Sequence, residues 1–267
     1  MLIRPRDAPT TRGWNGYGEN EHRAFKYLTE KKRLTADDLT LKLLGAKSFH
    51  LICSAPRCVD MIQRILRRRR ASFGEHAERP LFIWEPVPDL CTPEELDNTI
   101  TALAYVDVIS PNHEELGSYF SYQHPSTGVD KAVVEQHARQ LVSHGIGPEG
   151  KGAIVVRAGK EGCYILSDNG PNILSQWLPA YHIDPSRVVD PTGGGNGFLG
   201  GLAIGLVRTG GDVVEAARLG SVAASFCIEQ VGVPKATCRM NESSDDIEKW
   251  NGESVQERLA EFTHRTT

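Results

Sequence analysis

The sequence lacks any apolar stretch long enough to span a membrane, and residues 1–18 lack the apolar core of a secretory signal. Its six cysteines form no C-x-x-C pair, and its histidines show no metal-ligand spacing. We therefore expect a protein of a reducing compartment, without structural zinc and without a membrane partner. The expected location is the cytoplasm, with the nucleus as a second option.

A strong net charge is also lacking. The 267 residues carry a formal charge of −4, and segment 241–267 accounts for all of it with seven acidic and three basic residues. A neutral body is not typical of proteins that bind nucleic acid, so any bound anion must be held locally by loops. We predict one α/β domain over residues 1–240, followed by an acidic polar tail with a short terminal helix over residues 241–267.

Strand and helix patterns alternate through this body. Apolar runs at 48–53, 81–84 and 106–109 are separated by helical patterns at 56–70 and 93–103. This order predicts a mainly parallel sheet with helices on both faces, which is a three-layer αβα sandwich. Two further helices are predicted nearer the start of the chain, over 21–28 and over 35–44 with Thr35 as the cap.

The most distinctive stretch is 188–206, which reads VVDPTGGGNGFLGGLAIGL. Val188 and Val189 predict a strand end, the three glycines a tight loop, and 197–207 a helix buried on all sides. Amides at Gly193, Gly194 and Gly195 would converge at the helix start, where unpaired N–H groups and the helix dipole favour an anion such as phosphate. We therefore predict an anion site deep in the molecule.

Glycines in this stretch also fit another motif. Gly195, Gly197 and Gly200 match the G-x-G-x-x-G fingerprint of dinucleotide-binding enzymes. That fingerprint should open a βαβ unit, whereas the segment after Asp212 has the capping box and periodicity of a second helix. A dinucleotide-binding oxidoreductase is therefore kept only as the third hypothesis.

The segment DPTGGGN at 190–196 resembles the D-T-x-G-A-G-D signature of the ribokinase or PfkB family of carbohydrate kinases. The segment SPNHEEL at 110–116 resembles the family's N-x-x-E motif, and RAGKEG at 157–162 resembles its T-x-G-x-x-G turn. Residues 11–18 resemble the fungal maintenance-of-killer branch. The resemblance implies a ribokinase-like sandwich whose lid strands are missing or incomplete, and we expect an N-terminal truncation.

The resemblance also implies a set of site residues. Backbone amides of Gly193, Gly194 and Gly195 would stabilise the transferred phosphoryl group. Magnesium or its waters would be positioned by Glu115, Asn112 and Asp190, with a monovalent cation such as K⁺ as an option near Asp190. The nucleotide would contact Asn112, Arg157, Gly159, Gly162, Asp190 and Gly232. Arg157 replaces the family's threonine, and its side chain either contacts phosphate or points to solvent.

The chain departs from the family at the catalytic base, because Asn196 stands where the family has aspartate. A neutral amide cannot accept a proton, although it can orient a hydroxyl group. The first hypothesis is therefore weak ATP-dependent phosphoryl transfer to a small, carbohydrate-like acceptor. The second is a pseudokinase that acts through nucleotide or protein binding. Family members often pair through the lid, so a homodimer stays open, although no lid is recognisable here.

Overall fold

The computed structural model describes residues 7, 9–17, 23–30, 32–125, 128–168, 170, 173–236 and 249–267. It begins with a separate two-stranded hairpin of β1 (Gly13–Tyr17) and β2 (Arg23–Tyr27), which pair antiparallel. The helix predicted over 21–28 is therefore wrong for 23–27, while 21 and 22 lie outside the described residues. The β propensity of the aromatic residues and the cross-strand pairing with β1 outweigh the helical pattern.

The helix predicted over 35–44 is divided into two short pieces. A 3-10 turn spans Ala36–Asp38 and helix α1 spans Leu41–Leu44. Thr35 caps the first piece as predicted, since its amide donates to Asp38 at 2.8 Å. The side chain of Thr40 caps the second piece by accepting from the amide of Leu43. The helix is interrupted between these pieces because Leu39 and Thr40 both take an extended backbone conformation.

The body is a six-stranded sheet in the order β3-β4-β5-β6-β7-β8. Strands β3 to β6 are parallel, and β7 and β8 extend the sheet antiparallel. In chain order the elements are β3 (Ser48–Cys53), α2 (Ala55–Phe73), β4 (Leu81–Pro86), α3 (Leu96–Leu103), β5 (Val108–Ile109), α4 (His113–Ser118), α5 (Lys131–Val142), β6 (Ala153–Arg157), β7 (Cys163–Asp168) and β8 (Ile173–Leu178).

Helix α6 (Gly194–Arg208) and helix α7 (Val213–Ile228) form an antiparallel pair. The approach is close, since a Cβ added at Gly205 would lie 2.6 Å from the Cα of Ala216. Helix α7 follows α6 after four described residues, so the strand that a dinucleotide fold requires does not occur there. Within the described ranges, no helix combines the length and apolarity that crossing a bilayer requires.

Alternate residues of the strands enter two different cores. Phe82, Trp84 and Ile154 pack in a cluster with α2 and α5. Ile83 and Val155 face the opposite way, into a cluster with α6 and α7. This two-residue alternation places helices on both faces of the sheet, as predicted. Each fully buried apolar side chain of this size contributes about 1.5–3 kcal/mol to the free energy of unfolding.

The end of the chain packs against α7. After the ribbon β9 (Lys249–Trp250) and β10 (Glu253–Ser254), helix α8 (Val255–Thr266) buries Phe262 against Val222 and Phe226. A terminal helix was predicted in this region. The division between a body and a tail at residue 240 stays a prediction, because residues 237–248 lie outside the described ones.

Candidate active site

Polar side chains collect where the parallel strands end, on the face covered by α6. Glu85 lies at the end of β4, Ser110 follows β5, and Arg157 is the last residue of β6. Helix α4 begins three residues after Ser110, and its cap Asn112 forms an isolated bridge with Arg157. The carboxyl edge of a parallel sheet is where ligands bind in open α/β folds, so this edge is the candidate site.

Asn112 and Glu115 form a reciprocal capping box at the start of α4. The Glu115 carboxylate accepts from the Asn112 amide at 2.7 Å and from Asn112 Nδ2 at 2.9 Å. In return, Asn112 Oδ1 accepts from the Glu115 amide at 2.7 Å. The side chain of Glu115 is only 7% exposed. The structure thus brings the two residues of the predicted N-x-x-E motif together, and it satisfies them with each other.

Arg157 links two buried carboxylates, an arrangement that neither expectation for this residue included. Its Nη2 atom lies 2.9 Å from Glu85 Oε1 and 3.4 Å from Glu115 Oε2, and it donates to the carbonyl of Ser110 at 3.1 Å. The side chain is 14% exposed, so it does not point to solvent. A guanidinium suits this position because it can donate to several acceptors in one plane.

Two residues of this site were not predicted from the sequence, Glu85 and His50. The His50 ring lies 3.1 Å from Glu85, which is 13% exposed. Burial alone would raise the pKa of Glu85, but the hydrogen bond from His50 and the charge of Arg157 bring that pKa below its ordinary value. A glutamate inside the otherwise apolar run LFIWEP was the available signal, because a charged residue in a buried strand requires a partner.

The glycine loop turns into α6 at a position that glycine suits. Gly193 has a left-handed φ of +89°. Before it, Asp190 accepts from the amide of Thr192 at 2.9 Å, and this bonding lowers the pKa of the Asp190 carboxyl. The first backbone bond inside the helix runs from Gly197 to Gly193 at 2.8 Å. The amides of Gly195 and Asn196 therefore precede the helical ladder, where an anion can meet them.

Three expectations about this stretch are wrong. Val188 and Val189 lie outside the strands, and Val189 is 59% exposed. The amides of Val189 and Asp190 both donate to the carbonyl of Ile228, which ties the segment to the end of α7 instead of to the sheet. The loop consequently lies near the surface and not deep in the molecule. Helix α6 also has an open face, since Ile204 is half exposed.

Gly195 contacts Arg157, and this contact joins the two halves of the candidate site. A Cβ added at Gly195 would lie 2.6 Å from Arg157 Nη1. That separation is shorter than real Cβ atoms show, so the absence of a side chain at position 195 lets the guanidinium reach the start of α6. The predicted phosphate loop and the predicted N-x-x-E motif therefore meet at Arg157.

The other predicted glycines have local backbone roles. Gly159 and Gly162 have φ values of +54° and +85° and form the turn between β6 and β7. A Cβ at Gly162 would lie 2.0 Å from the carbonyl of Leu178, so this turn excludes other residues. Gly232 has a φ of +94° and lies between the exposed Val231 and Val233. Contacts of these three glycines with a nucleotide stay a prediction.

A divalent metal fits this site only through its water shell. Among the described residues, no three histidine, cysteine, aspartate or glutamate side chains come close enough together to hold a metal ion. The Glu115 carboxylate already accepts from Asn112 and Arg157, whereas the partly exposed Asp190 has lone pairs available. A hydrated Mg²⁺ or a monovalent cation beside Asp190 is compatible with these contacts, since Mg²⁺ keeps several waters in proteins.

Residues 84–237, more than half of the chain, match the sequence profile described as "pfkB family carbohydrate kinase". The chain belongs to the pfkB family. An uncharacterised protein of Schizosaccharomyces pombe is 34% identical to this pfkB chain. The alignment spans 95% of this chain and 70% of the yeast protein. Protein MAK32 of Saccharomyces cerevisiae is also 34% identical, over an alignment that spans 94% of this chain and 68% of MAK32. These relatives confirm the resemblance to the maintenance-of-killer branch.

Shorter and more distant similarities agree with the pfkB assignment. The inositol 3-kinase of Arabidopsis thaliana is 37% identical over 93 residues, which is 35% of this chain and 24% of that enzyme. Ribokinase from Giardia lamblia has 16% identity, a TM-score of 0.61, and covers 100% of this chain and 75% of that one. A structure of an E. coli protein described as a putative ribokinase II in complex with ATP and Mg²⁺ has 17% identity and a TM-score of 0.55. The superposition covers 91% of this chain and 68% of that one. These structures confirm the ribokinase-like αβα fold.

Proposed function

We propose that this chain binds ATP at the start of α6 and transfers its terminal phosphoryl group to a hydroxyl of a small polyol or sugar. The observation that carries the proposal is the contact between Gly195 and Arg157. It places a guanidinium beside the amides of a helix N-terminus, and both groups favour phosphate oxygens. Phosphoryl transfer depends mainly on such positioning and charge stabilisation.

The nucleotide site would extend from this contact. The amides of Gly195 and Asn196, with Arg157, would stabilise charge on the transferred group, whereas the amide of Gly194 already donates to the carbonyl of Pro191 at 3.1 Å. Exposed Val231 and Val233, on either side of Gly232, offer an apolar surface for a base. Gly159 and Gly162 would border the groove, and Asn112 and Glu115 would hold Arg157 in place.

Magnesium would enter with the nucleotide in this proposal. Asp190 is the residue that would hold the hydrated ion, with K⁺ as the alternative there, because Arg157 already occupies the carboxylate of Glu115. When bound, Mg²⁺ would neutralise phosphate charge.

Asn196 would make this catalyst slow. Its position at the start of α6 lets the amide orient an acceptor hydroxyl, but the amide cannot take the proton. Loss of general-base help typically costs a factor of about 10²–10⁴ in rate.

Two of the similarities support the proposed class of acceptor. The inositol 3-kinase similarity favours a cyclic polyol, and the ribokinase fold is compatible with a furanose sugar. A panel of inositols, ribose and nucleosides, incubated with ATP and followed by mass spectrometry of the products, tests the proposal. Formation of a phosphorylated product that requires the folded chain would support it.

A pseudokinase is the second candidate, and two observations favour it. Asn196 replaces the base, and Glu115 is engaged by Arg157 in place of a metal. Calorimetric titration with ATP and Mg²⁺ separates the outcomes. Binding without turnover on any acceptor would favour the pseudokinase, whereas absence of binding to well-folded protein would contradict both candidates.

A further inference from the structure

We propose that Arg157 is the resident cation of this site, holding the place between Glu85 and Glu115 that a divalent metal would otherwise take. This proposal deepens the proposed function. Its statement about ATP rests on the proposed function, whereas its statement about divalent cations does not. If it is correct, the free site rejects divalent cations, and the chain binds the phosphates of ATP with little dependence on Mg²⁺.

The first support is that two carboxylates and one guanidinium lie together at the carboxyl edge of the sheet. Glu85 and Glu115 are 13% and 7% exposed, and the guanidinium of Arg157 contacts both carboxylates. Two carboxylates buried to this extent would repel each other and lose hydration if no cation lay between them. Arg157 supplies that cation from within the chain. Without it, the paired oxygens would form an attractive site for a hard divalent ion.

The second support is that the two terminal nitrogens of the Arg157 guanidinium contact different parts of the site. Nη2 contacts the carboxylates of Glu85 and Glu115 and the carbonyl of Ser110, while Nη1 lies against Gly195. One edge is thus directed to the acidic pair and the other to the start of α6, where the phosphate is proposed to bind. A divalent metal bridges carboxylates and phosphate oxygens in this way in many phosphoryl-transfer sites.

The third support is that other contacts fix the carboxylates independently of Arg157. Asn112 donates twice to Glu115, and His50 contacts Glu85. Removal of Arg157 would therefore leave both carboxylates close to their present positions. An ion could then replace the guanidinium without rearrangement of α4 or β4, so the effect of Arg157 on metal binding can be measured directly.

The test is Mn²⁺ binding to the nucleotide-free full-length protein, measured by electron paramagnetic resonance. Arg157→Met is expected to bind Mn²⁺ at least about tenfold more tightly than the wild type, because a unit charge a few ångströms from the ion is removed. Arg157→Lys keeps the charge and should behave like the wild type. Adding Glu115→Gln or Glu85→Gln to Arg157→Met should abolish the gain.

Circular dichroism establishes that each variant is folded, and Arg157→Gln replaces Arg157→Met if the latter fails to fold. No gain in Mn²⁺ affinity, or a gain that persists in both double variants, would overturn the proposal. So would Mn²⁺ binding to the wild type that Glu115→Gln removes.

A second measurement uses the wild type alone. Calorimetry should give ATP affinities that differ by less than about tenfold between Mg²⁺ and excess EDTA, and a larger difference would overturn the proposal. If ATP fails to bind under both conditions, the proposed function fails, while the Mn²⁺ experiment still decides the role of Arg157.

Discussion

The guanidinium of Arg258 lies 2.8 Å from the carboxylate of Glu229, and this ion pair joins α8 to the end of α7. Arg258 is 3% exposed, and it also lies against the ring of Phe226. Glu229 in turn contacts His182 and Arg187, which belong to the segment before the glycine loop. The last helix is therefore connected through one carboxylate to the segment that leads into the candidate site.

Removal of Arg258 should destabilise the protein. We expect Arg258→Met to lower the free energy of unfolding by about 3–5 kcal/mol, because breaking a buried pair leaves Glu229 partly uncompensated. Denaturation in urea measures the loss. His264→Gln in the same helix is the control; its exposed side chain should contribute less than about 1 kcal/mol. Equal effects of the two substitutions would contradict the role given to the buried pair.

The glycines of α6 offer a matched pair of substitutions. Gly195→Ala should weaken ATP binding, because its Cβ would lie 2.6 Å from Arg157 Nη1 and displace the guanidinium. Gly200→Ala places a methyl group in open space in the same helix and should leave ATP affinity unchanged. We expect a loss of about tenfold for the first variant, measured by calorimetry. Equal affinities would show that Arg157 and Gly195 do not act together on the nucleotide.

Restoring a carboxylate at position 196 should raise the rate of phosphoryl transfer. Asn196→Asp introduces a group that can accept the acceptor's proton, and we expect turnover to rise by about 10²-fold or more. Steady-state kinetics on any acceptor found in the panel measures the gain. Asn196→Gln, which restores no base, should give no increase. A wild type faster than the aspartate variant would indicate that another residue supplies the base.

Acid should destabilise the protein through His137. Burial, with a smaller contribution from the charge of His124, lowers the pKa of this ring, which stacks on Phe120 at 4.4 Å. Above pH of about 6.5 both the folded and the unfolded state hold the ring neutral, so the pKa difference has no effect. Below that pH the unfolded state takes the proton first, and the free energy of unfolding decreases.

The melting temperature measured from pH 7.5 to 5 should therefore fall less steeply in His137→Gln than in the wild type. His144→Gln is the control, because His144 is exposed and its loss should not change the slope. A wild-type slope that survives in His137→Gln would assign the acid sensitivity to other groups, such as His182, whose pKa burial also lowers.

The order of elements was predictable because the apolar runs are short, bounded and alternate with helical periodicity. The apolar runs at 48–53 and 81–84 predicted β3 and β4 correctly, and the pairing of Asn112 with Glu115 followed from a local motif. Local motifs keep their geometry wherever the chain carries them. The hairpin strand β2 was missed because cross-strand pairing, which depends on a distant segment, decided its conformation.

The environment of Arg157 could not be predicted in the same way. Its partners Glu85 and Glu115 are 72 and 42 residues away along the chain, and only the parallel order of the strands brings them together. Periodicity shows which face a residue occupies, but not which residue on a neighbouring strand lies beside it. The exposed position of the glycine loop was missed for a similar reason, since the carbonyl that ties it down belongs to α7.

That carbonyl has a consequence for how a ligand enters. The oxygen of Ile228 accepts from two successive amides, Val189 and Asp190, at 2.8 and 3.2 Å. A single atom thus anchors the approach to the glycines, and any swing of this segment must either break both bonds or carry the end of α7 along. A ligand therefore binds to a glycine loop that is already held in place. Substitutions in α7 are expected to change the position of that loop, although they lie outside it.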